Sequence, residues 1–532
     1  MPELRRGVIF VQALLNVMDM QDTLQQLKMK RRQALEMGGP DKVQKQHSRG
    51  RMTARERIDR LLDRDSFLEM GLLAHSAAAG MAEKTPADGV ICGYGRIDGR
   101  RVAIIANDFT VLASTNAEIN LKKTLQFKRQ VKEKAKVPLI WLGESGGARM
   151  PDCQGSREFC TLSGGGVDTL APAYTHYREH PFIFAAMGEC YGIPDFQAAL
   201  ADLVIQVKGS ALSVSGPRAL ARAVGQSFSG EEMGGWEVHS RITGMADQVA
   251  ADEETCLQMI REFLSYLPDH NRSLPPVKPP FEDKGETMDR ILDLVPVDRK
   301  KTYDMHPVIA CLVDNGVYLE LKPAFGPMLI TCLSRISGEV VGIIANNPGI
   351  MAGAMDTCGL DKLTSFLCLC DSYNIPLIFL HDTPGHLVGK EAEQKKVGAK
   401  VVRAQQALFQ VTVPKISIII RKSYGKACMN MCGPGAGPDF IVAWPTAEIG
   451  FMDPEIAGDV VYGNLSQEER ETRLKTMIGD LNPYPAAGAY YLQDVIDPGD
   501  TRSYLMNVLH IIRDSGNRGM GEHHLANWPT QF

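Results

Sequence analysis

Short apolar runs rich in Val and Ile recur along the chain, separated by helix-length stretches of mixed polarity. The runs at 104–108 (IIAND) and 137–149 (VPLIWLGESGGAR) return at 343–347 (IIANN) and 375–385 (IPLIFLHDTPG). Asn107 to Pro138 spans 31 positions and Asn346 to Pro376 spans 30. Each copy predicts a strand, a helix, a second strand, and then a small-residue turn after an acidic residue, Glu144 or Asp382. A third run repeats as well: HPFIFAAMGECYG ends at Gly192 and VPKISIIIRKSYG ends at Gly425, 233 positions later. Such self-similarity predicts one fold used twice, with two similar turns facing a shared site. Alternating strands and helices in each half predict an α/β class.

Local signals fill in the pattern. Thr53 stands three residues before Glu56 and ahead of Ile58, Leu61 and Leu62, the spacing of a capping box opening a helix. Residues 88–112 read as a β-hairpin turning at Asp98-Gly99. INLKKTLQFKRQVKEKAK predicts an amphipathic helix with a solvated basic face. SLPPVKPPFEDKG has four prolines and no periodicity, the composition of a linker. The expected division is an N-terminal domain over 20–272, a linker over 273–284 and a C-terminal domain over 285–532.

Composition excludes more than it selects. Hydrophobic content of 44% and charged content of 23% are ordinary for a globular protein of 532 residues. A net charge of −5 with no basic stripe gives no footprint for nucleic acid, and no run is long and apolar enough for a membrane span. The first twenty residues have Arg5 and Arg6 before an apolar run, but Gln12 and Asn16 interrupt it, so they read as an extended start, with Met18 or Met20 as alternative first residues. The twelve cysteines show no C-x-x-C pair or matching His spacing; zinc is not expected, and free thiols suit a reducing cytoplasm. His523 and His524 are read as part of an exposed tail. The chain has no P-loop, no G-x-S-x-G, no H-E-x-x-H and no G-x-G-x-x-G after the first strand of either half.

What remains is turn chemistry. Glu144-Ser145-Gly146-Gly147-Ala148-Arg149 follows a strand, and its paired glycines let main-chain N–H groups approach a negative ligand. Gly146 and Gly147 are the expected oxyanion donors. In Ser423-Tyr424-Gly425-Lys426-Ala427, Gly425 frees the turn and the N–H groups of Lys426 and Ala427 are the second candidate pair. The Lys426 side chain is unusual there, because a long cation beside a buried turn needs a partner or a ligand. Donors without side-chain nucleophiles suit enolate chemistry, in which charge on a carbonyl oxygen must be held.

The residues resemble the carboxyltransferase (β) subunits of biotin-dependent acyl-CoA carboxylases of the propionyl-CoA and methylcrotonoyl-CoA type. The resemblance spans about residues 40–510 and rests on ordered motifs, among them QHSRGRMTARERI (46–58), ESGGAR (144–149), EEMGGWEVHSRITGMAD (231–247), DTPGHLVGKEAE (382–393), AWPTAEIGFM (443–452) and NPYPAAGAYYLQDVIDPGDTR (482–502). It implies two tandem crotonase-like (ββα-superhelix) domains, with acyl-CoA on the N-half and biotin on the C-half. It further implies a hexamer whose active sites lie between subunits. The thioester oxygen would meet Gly146 and Gly147, and the biotin ureido oxygen Lys426 and Ala427. Ala148, Gly425 and Met429 would line the two ligands, and Lys122, Lys123 and Arg149 would steer the CoA phosphates. The chain has no biotinyl motif, so biotin is expected on a biotin carboxylase/biotin carrier partner. Departures include Lys426, Met429 where an aspartate is common, and Gly188–Pro194 in place of a Gly-rich Cys-Ala-Gly-Gly-Ala run. The alternative is a biotin-independent decarboxylase of a malonyl-CoA derivative, with Lys426 in the former biotin site.

Overall fold

The computed structural model describes residues 19–164, 178–280, 290–514 and 523–528. Among these, the strands form two eight-stranded sheets, one in each half. The first holds β1 (Leu68–Met70), β2 (Val90–Ile97), β3 (Arg100–Asn107), β4 (Leu139–Ser145), β5 (Phe182–Tyr191), β6 (Leu203–Val207), β7 (Ala211–Ser213) and β8 (Gln248–Ala250). Its order is β1-β2-β3-β4-β5-β6-β8, with β7 paired to β5. The second holds β9 (Tyr318–Glu320), β10 (Leu329–Ile336), β11 (Glu339–Asn346), β12 (Leu377–Thr383), β13 (Lys415–Tyr424), β14 (Phe440–Ala443), β15 (Glu448–Gly450) and β16 (Asp494–Val495). Its order is β9-β10-β11-β12-β13-β14-β16, with β15 paired to β13. The repeat seen in three apolar runs thus extends to every strand.

Each sheet opens with an antiparallel hairpin and continues in parallel, as strand–helix–strand connections require. The Asp98-Gly99 turn has φ 51° and 79°, the paired left-handed geometry of a two-residue hairpin. The central parallel strands are largely apolar because both faces are covered; β4 and β12 are buried at every position. Both carry an irregularity at the same place, Gly143/Ser145 and His381/Thr383, where the turn begins. One apolar cluster contains residues of both halves, from Ile58 and Ile104 to Leu363 and Phe379, so the repeats share a core. The capping box at Thr53 and Glu56 is present and opens the helix Ala54–Leu61.

Two expectations change. The basic helix runs Glu118–Gln130, but its Lys123 points inward, and Nζ donates to the Val90 carbonyl at 2.6 Å and the Ala87 carbonyl at 3.2 Å. The C-terminal segment is docked through Leu525 and Ala526, with His523 partly covered and His524 exposed as expected. Leu525 is buried, and the buried Arg178 guanidinium donates to the carbonyls of Leu525, Ala526 and Trp528 while pairing with Asp202 at 3.3 Å. A buried guanidinium needs several acceptors, and this segment supplies them from 347 or more positions away. No helix among the described residues is long and apolar enough to cross a membrane.

Candidate functional site

The turn after β4 is set by its neighbours before any ligand is considered. Leu112, Ala113 and Ser114 all take left-handed φ (49°, 53° and 48°), which costs roughly 1–3 kcal/mol each unless surroundings enforce it. Ser114 Oγ donates to the Gly89 carbonyl at 2.7 Å and accepts from Asn107 Nδ2 at 2.8 Å, and Trp141 Nε1 donates to Asn107 Oδ1 at 2.8 Å. The bent loop presents the Ala113 carbonyl to the Gly146 N–H at 2.9 Å. Gly146 is therefore not an available donor, and the expected Gly146–Gly147 pair loses its first member. The Gly147 N–H has only a long 3.3 Å bond to Ser145 Oγ. The Gly147 carbonyl is held by the Asn116 N–H at 2.8 Å. In a trans peptide the next N–H points the opposite way, so Ala148 directs its N–H away from that contact. It makes no hydrogen bond among the described residues, and Gly147 and Ala148 both line the cavity below.

The C-terminal half copies this turn. Met351, Ala352 and Gly353 are left-handed, the Gly385 carbonyl accepts from Met355 N–H at 3.0 Å, and the Gly385 N–H meets Thr383 Oγ1 at 3.3 Å. Pro384 stands where Gly146 does and has no N–H to give. The acidic residue before each turn is structural. Glu144 is fully buried and pairs with Arg51 at 2.9 Å and Arg57 at 2.7 Å; Asp382 is fully buried and pairs with Arg421 at 2.8 Å. A buried carboxylate so compensated fixes the strand end rather than doing acid–base work.

A cavity of about 1150 Å³ opens over the N-terminal turn. Its walls include Ala113, Gly147, Ala148, Tyr191 and Gly192, together with the helix Pro40–Ser48 and the residue after it. Lys42, Lys45 and Arg49 lie on one face of that segment, at the three- and four-residue spacing of a helix. None is within ion-pair distance of a carboxylate among the described residues; Arg49 lies 5.7 Å from the Phe109 ring centre. Two contacts hold the segment in the wall. The Gly38 N–H donates to Thr110 Oγ1 at 3.0 Å, and Gln46 Nε2 donates to Glu144 at 2.8 Å. Lys84 and Arg218 add two more cations.

These are not the cations the sequence suggested. Arg149 is buried, pairs with Asp88 at 2.9 Å and Asp152 at 3.4 Å, and donates to the Thr115 carbonyl. Lys123 is engaged with backbone carbonyls, and burial pushes its pKa down. Lys122 is exposed, and none of the three lines the cavity. In sequence the helix Pro40–Ser48 and Arg49 show only the three- and four-residue spacing of Lys42, Lys45 and Arg49 as a signal.

At the end of β5, Gly192 (φ 73°) opens the helix Ile193–Leu200, and the Ile193 N–H is free of protein partners among the described residues. Pro194 removes the next donor. Burial pushes Asp195, in the first turn of this helix, up to about 6. The corresponding turn after β13 has Gly425 (φ 56°) opening the helix Gly425–Asn430, where both Lys426 and Ala427 keep N–H groups unbonded among the described residues. An added Cβ at Gly425 would lie 2.7 Å from the Phe451 carbonyl, so only glycine fits. Lys426 is exposed, and among the described residues its ammonium reaches only Met429 Sδ, at 3.7 Å. The cavity contains no residue of this second turn, so one chain does not bring Gly147 and Lys426 into a common pocket.

Comparison with known proteins is consistent across sequence and structure. Residues 45–519 match the family described as the carboxyl transferase domain. The chain is 33% identical to the methylmalonyl-CoA decarboxylase subunit alpha of Veillonella parvula, over 89% of this chain and 92% of that one. It is 34% identical to the propionyl-CoA carboxylase carboxyltransferase subunit of Haloferax mediterranei, over 93% and 97%. Its fold matches the crystal structure of transcarboxylase 12S, a hexamer solved with methylmalonyl-coenzyme A and methylmalonic acid bound, with a TM-score of 0.87 and 34% identity over 93% of this chain and 96% of that one. The two sheets are accordingly a pair of crotonase-like units.

Proposed function

The chain belongs to the carboxyl transferase domain family, and from that premise we propose that it moves a carboxyl group to or from the α- or vinylogous carbon of an acyl-CoA. The reaction passes through a thioester enolate, and the chain's part is to hold that oxygen's charge. The observation that carries this reading is the Gly147–Ala148 turn, which lines a cavity walled by Lys42, Lys45 and Arg49 and whose Ala148 N–H has no hydrogen-bond partner among the described residues. The CoA phosphates lie along these cations, and the thioester oxygen accepts from Gly147 and Ala148. Each such donor is worth roughly 3–4 kcal/mol in the transition state.

The C-terminal turn suits a ureido oxygen, since Lys426 and Ala427 offer two adjacent unbonded N–H groups beside Gly425 and Met429. Biotin, brought on a biotin carboxylase/biotin carrier partner, would supply the carboxyl group and the base. The division follows: 20–272 takes acyl-CoA and 285–532 takes biotin. Phe451, beside Gly425, is 83% exposed and Val460 is 76% exposed, an apolar surface that a second copy covers as the N-terminal cavity of that copy completes the site. A hexamer like that of transcarboxylase 12S satisfies this requirement.

A second reading is favoured by Lys426, whose unpaired ammonium can hold a substrate carboxylate in the absence of biotin; this is a decarboxylase of a malonyl-CoA derivative. The test uses purified chain and methylmalonyl-CoA in two reactions, one with excess avidin and one without avidin, to which a biotinylated carrier is added. CO₂ release identifies the decarboxylase. No release, with carboxyl exchange on adding a biotinylated carrier, identifies the transferase. Neither activity would overturn both readings.

A further inference from the structure

The two halves of the repeat differ at the ends of β5 and β13. Glu189 and Tyr191 stand 233 positions before Lys422 and Tyr424. The ladders agree: Glu189 pairs with Ala211 and Tyr191 with Ser213, as Lys422 pairs with Glu448 and Tyr424 with Gly450. In the C-terminal half these side chains are consumed. The Tyr424 hydroxyl donates to Glu448, Glu448 lies 3.6 Å from Arg299, and the buried Lys422 ammonium donates to the Arg299 carbonyl at 3.4 Å. In the N-terminal half Ala211 stands where Glu448 does, and neither the Tyr191 hydroxyl nor the Glu189 carboxylate has a hydrogen bond or ion pair among the described residues.

Both residues line the cavity over the thioester turn. They are two apart on a regular ladder, so they share a face at a spacing of about 6.8 Å. The Tyr191 carbonyl and Cβ lie 3.7 and 3.8 Å from where a Cβ on Gly147 would stand, which puts Glu189 on the face that meets the Gly147–Ala148 turn. The other carboxylate of the wall, Glu83, is exposed on the turn Ala82–Lys84, whereas Glu189 is half-buried. Burial, and then the Glu189 charge, push the Tyr191 hydroxyl up to about 12, so it stays protonated. A carboxylate among Lys42, Lys45, Arg49, Lys84 and Arg218 works against anion binding, so holding CoA does not account for it. An enolate site has another need that a carboxylate meets, a carrier for the proton of the α-carbon.

Resting on the carboxyl-transfer reading, we propose that Glu189 is a catalytic acid–base that carries the α-proton of the acyl-CoA when no biotin is present. The α-C–H bond breaks, an O–H bond forms on Glu189, and the electron pair moves onto the thioester oxygen held by Gly147 and Ala148. In reverse, Glu189 returns a proton to the α-carbon after exchanging its own with water. The same return quenches the enolate left when a malonyl-type thioester loses CO₂.

The full-length oligomer is incubated with propionyl-CoA in D₂O with excess avidin, and α-deuterium is read by mass spectrometry. Wild type is expected to incorporate deuterium well above the enzyme-free rate. Glu189→Gln is isosteric at a side chain with no protein hydrogen bond to lose among the described residues, and it should lower the rate at least about 100-fold. The dissociation constant of propionyl-CoA, from isothermal titration, should not rise; a merely structural role would raise it. The proposal is overturned if wild type shows no exchange above the enzyme-free rate, if Glu189→Gln exchanges as wild type does, or if binding weakens along with exchange. Absent exchange beside intact binding, with carboxyl transfer on adding a biotinylated carrier, sinks this role alone. No binding of propionyl-CoA and no carboxyl chemistry sink the carboxyl-transfer reading with it.

Discussion

Gly38→Ala changes one methyl group and tests how the CoA wall is held. An added Cβ at Gly38 would lie 2.0 Å from the Thr110 carbonyl oxygen and 2.6 Å from its carbon. Both are backbone atoms, so no side chain can turn aside. Reaching an ordinary 3.4 Å contact moves the corner by about 1.4 Å and breaks the 3.0 Å bond from the Gly38 N–H to Thr110 Oγ1. The helix Pro40–Ser48 begins two residues later, so Lys42 and Lys45 move with it, while Gln46 on Glu144 restrains the far end. Each partly screened cation–phosphate contact is worth about 0.5–1 kcal/mol; weakening two or three of them amounts to about 1.4 kcal/mol, or tenfold in binding. Steady-state kinetics with acyl-CoA should show KM raised about tenfold and kcat within about twofold, because the Gly147–Ala148 turn is untouched. The triple variant Lys42→Ala, Lys45→Ala, Arg49→Ala should show the same direction with a larger change, and its KM should depend less on salt. An unchanged KM in a folded Gly38→Ala protein, or a fall in kcat at constant KM, would refute the reasoning.

Other outcomes follow from the same geometry. Gly147→Val finds space, since the nearest atom to an added Cβ is 3.7 Å away, but its φ of 99° disfavours any L side chain; kcat should fall at least about 100-fold with the fold retained, and wild-type turnover would contradict the assigned donor. His306 is held by Glu320 and then Asp304, which raise its pKa to about 9. Its stabilisation is complete below the usual 6.5 and is lost as pH rises through about 9. The group is half-exposed, so its worth is about 1 kcal/mol, and His306→Gln should flatten the fall of Tm between those limits; an unaltered Tm profile would count against it. Arg178→Met removes the guanidinium beside Asp202, which keeps the Tyr373 hydroxyl and the Phe182 N–H, and frees the carbonyls of Leu525–Trp528. A loss of about 3–5 kcal/mol and rapid proteolysis near residue 523 are expected, and a wild-type Tm with an uncut C-terminus would exclude the docking role.

The strands were legible because burial on both faces leaves a plain trace: apolar runs such as LIWL and LIFL, repeated at nearly equal spacing. The hairpin and the capping box were legible because their chemistry is local, confined to Asp98-Gly99 and Thr53–Glu56. The choice of donors was not. Gly146 looks as free as Gly147 in sequence, and only the left-handed carbonyl of Ala113, 33 positions earlier, occupies it. The cations that face the cavity were not legible for a related reason. A lysine's role depends on whether its ammonium finds carbonyls, as Lys123 does, or nothing, as with Lys42 and Lys45, and that is settled by packing between distant segments. Arg149 follows the glycine pair directly, yet Asp88 and Thr115 consume it. The same holds for the docked His523 segment, whose anchor, Arg178, lies in the other half.

The central claim is that main-chain donors of residues 147 and 148 hold the thioester oxygen. A crystal structure of the oligomer with propionyl-CoA tests it most directly. The account predicts that oxygen about 2.7–3.1 Å from the nitrogens of Gly147 and Ala148, with the phosphates against Lys42, Lys45 and Arg49. A thioester seated instead at the Gly425–Ala427 turn, or directed away from residues 147–148 inside the cavity, would contradict it.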